Sequence, residues 1–144
     1  MNHMLTPYAL VILRKDNKIA LLQRAATASF APGDYCLVGG AVEKHETFRV
    51  ALVREVYEEV GVIIQPQDLH FVHVFYRTNK IQEIVACVFV CDLWQGEPYN
   101  KEPEKHTDLA WFALDELPAK MIPAHRGALA LIAQGISYSE QEPG

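Results

Sequence analysis

Apolar residues in this chain come in short runs, and their spacing changes from strand-like to helix-like partway along. Residues 8–13 and 19–22 are two such runs, and the "RKDNK" between them supplies Asp16-Asn17, a favourable turn pair. Together they predict a β-hairpin. "ATASFAPGDY" follows as a small-residue loop in which Pro32-Gly33 marks a turn. Residues 35–38 then predict a short strand that runs into Gly39-Gly40.

From Thr47 the period lengthens. Leu52, Val53, Val56 and Val60 fall on one side of a helical wheel, a stripe suited to packing on a sheet. Thr47 is a reasonable N-cap, and Gly61 a good C-terminal cap. After Gln65-Pro66-Gln67, residues 71–77 and 84–93 are β-rich runs joined by "RTNKIQE" as a hairpin loop. "QGEPYNKEPEKHT" is a polar, turn-rich insert, "LAWFAL" a further short strand, and Asp115-Glu116-Leu117-Pro118 the start of a turn or short helix. Residues 124–134 predict a terminal helix with Leu129, Leu131 and Ile132 as its apolar members, and residues 137–144 read as a frayed tail. No repeat, low-complexity tract or interdomain linker interrupts the pattern. The expectation is a single domain over residues 1–144 of class α+β, with a mixed β-sheet, one central helix and one C-terminal helix.

Composition narrows the class. A chain of 144 residues, 50% hydrophobic and 22% charged, has an ordinary globular balance and length enough for a substantial core. Its formal net charge of −5 argues against a broad basic surface, so no long nucleic acid is expected as a partner. Cys36, Cys87 and Cys91 form no CxxC pair, and Cys87 and Cys91 point to one side of an apolar run. Free thiols in a reducing cytoplasm are the expectation. The N-terminal residues lack an apolar leader core, and no stretch approaches ~18 uninterrupted apolar residues, so neither secretion nor a membrane partner is expected.

The acidic residues of "GGAVEKHETFRVALVREVYEEVGV" change the picture more. Glu55, Glu58 and Glu59 stand at i, i+3 and i+4 of the central helix. Like charges at that spacing cost about 0.2–0.5 kcal/mol per pair in an isolated helix. They project within a narrow sector, a quarter-turn or more from the apolar stripe, so one face can pack while another presents carboxylates to a cleft. Such an array suits a hard divalent cation, Mg²⁺ foremost, together with substrate phosphates. The alternative is a solvated acidic face, paired with Arg54 and Arg49 in ion pairs worth about 0–1 kcal/mol.

The full spacing decides between them. Gly40, five residues, Glu46, seven residues, then Arg54-Glu55-Val56-Tyr57-Glu58-Glu59-Val60-Gly61-Val62 matches the Nudix hydrolase signature GX5EX7REUXEEXGU, U being a bulky aliphatic, at every defining position. The chain therefore resembles the Nudix hydrolases, and the order of its elements resembles their α/β/α sandwich. The resemblance implies Mg²⁺ as cofactor, with Mn²⁺ able to substitute, and Glu55, Glu58 and Glu59 as metal ligands or water activators. It further implies a metal contact from the Gly40 carbonyl, orientation of the glutamates by Arg54, and support of the loop by Glu46. Glu43 matches a frequent family acid just outside the strict signature. Tyr35-Cys36-Leu37-Val38 replaces the tryptophan and Leu-Pro common before the glycine pair, and Lys44-His45 replaces a common Pro-Gly or Gly-Gly. Loop shape and substrate preference are where these departures bear.

Outside the signature, "NKEPEKHTDLAWFALDELP" resembles the segment before the last helix in nucleotide-hydrolysing members. Glu102 or Glu104 is a candidate further acid, and Glu104 joins the expected metal set of Gly40, Glu55, Glu58 and Glu59. Arg24, Gly39 and Arg77 are the substrate-binding candidates. Trp111-Phe112 offers a base contact or simple core packing, Tyr76 lies where some members place a selectivity aromatic, and His45 is a loop histidine near phosphate or solvent. The expected activity is a Mg²⁺-dependent pyrophosphohydrolase acting on a nucleoside triphosphate or a related nucleoside diphosphate-linked compound. Hydrolysis of ADP-ribose or another nucleotide sugar, and a catalytically silent nucleotide-binding module, are the alternatives. The expected partner is a small nucleotide, with a homodimer left open.

Overall fold

The computed structural model describes residues 3–80 and 82–141. Strand β1 (Thr6–Lys15) turns through Asp16 and Asn17, with φ of 54° and 62°, into antiparallel β2 (Lys18–Arg24). Positive φ at both central residues is the tight-turn geometry whose twist matches paired strands, so the expected hairpin forms. The short strands β3 (Tyr35–Cys36) and β4 (Val38–Ala41) come next, then helix α1 (Phe48–Val60), β5 (His70–Thr78), β6 (Glu83–Cys91), β7 (His106–Ala113), α2 (Pro123–Ala133) and β8 (Tyr138–Gln141).

The strands run β3-β2-β1-β6-β5-β8 across a mixed sheet, with β4 also on β1 and β7 also on β2. β1 pairs parallel with β6 along one edge. Its other edge is divided, Tyr8–Val11 facing β4 and Arg14-Lys15 facing β2. That division corrects the expected strand over 35–38. The chain leaves β2 after Cys36 and joins β1 at Val38, so Leu37 is the crossing point and no single strand forms.

β1 is buried on both faces, which is why it reads as an unbroken apolar run. Ala9, Val11 and Leu13 pack with Ala51, Leu52, Val56 and Val60 of α1. Leu10 and Ile12 face the other way, toward Phe75, Val88 and the α2 residues Ala128 and Leu129. The result is a mixed sheet between two helices. Helix α1 keeps its expected caps: Thr47 accepts from the Val50 N–H, and Gly61 closes the end at φ 72°.

The C-terminal segment departs from expectation. Tyr138–Gln141 pairs parallel with β5 instead of fraying. Fully buried His73 pins it, with Nδ1 2.8 Å from the Ile136 carbonyl and Nε2 2.8 Å from Ser139 Oγ. Backbone pairing and one long-range histidine hold a polar segment that has no apolar pattern to announce it. The rest of the expected tail, 142–144, lies outside the described residues. Cys36, Cys87 and Cys91 are free thiols, and among the described residues no helix is long and apolar enough to cross a membrane.

Candidate active site

β4 brings two glycines against the flank of α1. Gly39 has φ 141°, and a Cβ there would lie 2.1 Å from the Ala9 carbonyl oxygen, so only glycine lets β4 approach β1 this closely. Its N–H donates to Glu59 Oε1 at 2.9 Å. Gly40, next along, packs against the Glu55 carboxylate.

Arg54 organises the acids around this contact. Its Nε and Nη2 grip the two oxygens of Glu46 at 2.7 and 2.8 Å, a bidentate fork, while Nη1 reaches Glu55 at 3.1 Å and Glu58 at 3.4 Å. Glu46 also accepts from the Glu43 N–H, and these bonds hold its carboxyl down at about 2. Glu46 and Arg54 thus lock the loop onto the helix. Arg49 takes no part. It donates to the Leu69 carbonyl and lies over Phe89.

Three carboxylates converge where water is scarce. Burial raises Glu55, and it raises Glu59 well above the ordinary carboxylate range, with the charges of Glu55 and Glu102 adding to the effect. Glu58 stands at the rim with 45% of its side chain exposed. The loop ahead of β7 is tied to the end of α1: Tyr99 N–H donates to the Val60 carbonyl and Lys101 N–H to that of Glu59. This tie turns Glu102 inward. Ligand atoms of Glu59, Glu102 and His106 lie within 4.8 Å of one another. Glu104, the expected metal residue of this loop, is exposed on the turn. The loop's inward acid is therefore Glu102, because the backbone after Lys101 reverses through the bonds of Lys105 and His106 N–H to the Glu102 carbonyl.

His106 went unnoticed in the sequence. It is 4% exposed, its Nε2 is 3.9 Å from Glu59 Oε2, and its buried Nδ1 has no hydrogen-bond partner among the described residues. Burial lowers its pKa. The available signal was its place at the junction of an acid-rich loop and a strand. The donor set fits a divalent cation: crowded carboxylates destabilise one another without one, and a buried imidazole nitrogen is left unmatched. Oxygen-dominated coordination suits Mg²⁺ or Mn²⁺.

A cavity of about 290 Å³ opens from this cluster. Gly39, Gly40, Glu59 and His106 line one part; Leu10, Phe75, Ile84, Ala86 and Ile122 form apolar wall; Arg24, Arg77, His125, Tyr8 and Gln82 supply further charge and polarity. The Arg24 and Arg77 guanidiniums stand 5.7 and 5.6 Å from the ring centre of Phe30, and Arg24 Nε donates to the Phe30 carbonyl. The substrate-binding candidates Arg24, Gly39 and Arg77 thus meet in one cavity. Tyr76, Trp111, Phe112 and His45 do not line it. Tyr76 bonds to Glu83, Trp111 stacks on Trp94, and Phe112 packs edge-on against Tyr35. His45 sits exposed in a turn at φ 71°.

Comparison with known proteins gives the family and the fold. The NUDIX domain family model matches residues 4–132. The chain is 31% identical over 122 residues to an 8-oxo-dGTP diphosphatase from Escherichia coli (strain K12), covering 83% of this chain and 89% of that protein. It is 34% identical over 107 residues to an ADP-ribose pyrophosphatase from Methanocaldococcus jannaschii, covering 74% and 61%. Its match to an NAD-capped RNA hydrolase NudC from Chromobacterium violaceum spans only 44% of that longer protein. The crystal structure of a MutT NUDIX hydrolase from Burkholderia pseudomallei superposes with a TM-score of 0.80 at 30% identity, covering 89% of this chain and 98% of that one. With Glu59 and Glu55 of its signature set against Gly39 and Gly40, and Glu59 lining a cavity, the chain belongs to the NUDIX domain family.

Proposed function

We propose that this chain hydrolyses a phosphoanhydride bond in a nucleoside triphosphate or a related nucleoside diphosphate-linked compound, with Mg²⁺ as cofactor and Mn²⁺ able to replace it. One observation carries the reading: Glu59, with 12% of its side chain exposed, fixed by the Gly39 N–H and crowded by Glu55 and Glu102, lines the same cavity as Arg24 and Arg77. Glu55, Glu59 and Glu102 would hold the cation, with Glu58 at the rim, His106 alongside and the Gly40 carbonyl adding an oxygen. Such a cation, when bound, neutralises charge on phosphate oxygens and acidifies water.

The chain's own groups do the rest. Arg54 keeps the glutamates in register. Glu58, which reaches solvent, would accept the proton of the attacking water. Water oxygen bonds to phosphorus, the bridging P–O bond breaks, and in a triphosphate the products are a nucleoside monophosphate and pyrophosphate. Arg24 and Arg77 offset phosphate charge or hold the base. A cavity of about 290 Å³ stands at the small end of ligand sites, about 300–1,000 Å³, which favours one base over a whole dinucleotide. The free cysteines support activity in a reducing cytoplasm.

The relatives' names span several substrates, so a direct screen is the test. The chain is incubated with Mg²⁺ and nucleoside triphosphates, deoxynucleoside triphosphates, ADP-ribose or NAD, and phosphate, pyrophosphate and monophosphate are measured. Pyrophosphate with monophosphate from a triphosphate is the expected result. Turnover confined to ADP-ribose would assign the chain to nucleotide sugars. Tight binding without turnover of any substrate would make it a silent binding module.

A further inference from the structure

His125 lies near the start of α2 and lines the same cavity as Glu59, Arg24 and Arg77. The Leu37 N–H donates to its Nδ1 at 3.1 Å. A nitrogen that accepts from an amide carries no proton, so the neutral ring carries its proton on Nε2. Leu37 is the crossing residue between β3 and β4, and its amide is thereby free of the sheet ladder to make this bond. Among the described residues the hydrogen bond recorded for the ring is this one at Nδ1.

The ring stays neutral in this setting. Burial and the positive charges of Arg24 and Arg77 push its pKa down to about 4. The acid lining the cavity is Glu59, and the charges that bear on His125 are those of Arg24 and Arg77. The charged groups acting on His125 are the donors Arg24 and Arg77, and Tyr8 and Gln82 of the same lining can act either way.

We propose that His125 is a specificity-determining residue whose Nε2–H selects a base presenting a carbonyl oxygen to the α2 wall over one presenting an amino group. An exocyclic carbonyl accepts from Nε2–H and from a guanidinium. An amino group there meets the Nε2–H and guanidinium donors, which cannot take its hydrogens, and desolvating it without an acceptor is the costly outcome. This inference rests on the nucleotide reading of the cavity and names the kind of base that it takes.

Two measurements test it. In ¹⁵N-labelled protein at pH 7, long-range ¹H–¹⁵N spectra report the His125 tautomer without any ligand. A proton on Nε2 is expected; a proton on Nδ1, or a doubly protonated ring, would overturn the inference and leave the proposed activity standing. Calorimetry with Mg²⁺ then compares inosine with adenosine monophosphate, and uridine with cytidine monophosphate. The carbonyl-bearing member of each pair is expected to bind about tenfold more tightly, the value of one net hydrogen bond, and to shift the Nε2 proton resonance. Equal affinities within both pairs would sink the selectivity while keeping the nucleotide site. Binding of none of the four would remove both. His125→Phe, checked for folding by circular dichroism, is expected to erase the preference while retaining phosphate-driven binding.

Discussion

Gly40 and Glu55 fit together only because one of them has no side chain: a Cβ on Gly40 would lie 2.6 Å from Glu55 Oε1. The obstacle is the far end of a flexible side chain, and the Gly40 backbone is one that other residues adopt. Gly40→Ala is therefore expected to fold, with a stability change within about 1 kcal/mol, and to displace Glu55. Turnover should fall by about 10²-fold, the scale of an ångström-level misplacement. Gly39→Ala should differ in kind, losing stability by about 1–3 kcal/mol or more through backbone strain and collision with the Ala9 carbonyl. Denaturant melts and steady-state kinetics on both variants check the contrast; a Gly40→Ala enzyme with full turnover would refute it.

Glu59 is a buried charge with charged neighbours. Glu59→Gln keeps an oxygen for the Gly39 N–H while removing that charge. In chelator the variant is expected to melt at or above the wild-type temperature, since unmatched buried charge destabilises the fold. With Mg²⁺ its turnover is expected to drop by about 10²-fold or more. A lower melting point in chelator together with normal turnover would contradict both halves.

Glu102 and Glu104 flank Pro103, but only Glu102 faces Glu59 and His106. Glu102→Gln is expected to weaken apparent Mg²⁺ affinity by about tenfold or more. Glu104→Gln should stay within about twofold of wild type, because an exposed loop acid has nothing to coordinate. The checks are Mg²⁺ titrations of turnover and Mg²⁺-induced rises in melting temperature. Equal behaviour of the two variants would show that this loop does not contribute a ligand.

His125 makes stability depend on pH in a defined window. Its folded pKa is pushed down to about 4, against about 6.5 in the unfolded chain. Between these values the unfolded state binds more protons, so this contribution is complete above about pH 6.5 and is lost as pH falls toward 4. His125→Phe is expected to flatten the decline in melting temperature across that window, with Arg24 and Arg77 unchanged as its charged neighbours. An identical slope in wild type and variant would show that His125 does not set it.

The chain by itself determined whatever depends on neighbours a few residues apart. Asp16-Asn17 accepts the left-handed turn that closes the first hairpin, and Thr47 and Gly61 cap the helix between them. The i, i+3, i+4 spacing of Glu55, Glu58 and Glu59, with Arg54 beside them, put the acids on one helix flank before any packing was known. The tertiary structure decided which groups meet across long separations. Glu102 was chosen over Glu104 by the backbone bonds tying residues 99 and 101 to the end of α1. His106 and His125 reached the cavity from β7 and α2, elements whose own patterns say nothing of a distant glutamate or of the Leu37 amide. β8 formed because β5 offered an unpaired edge and buried His73 offered polar contacts to the Ile136 carbonyl and the Ser139 hydroxyl. Local spacing encodes direction along one element, whereas contact between elements depends on how the sheet and its two helices pack, and that energy is spread over the whole core.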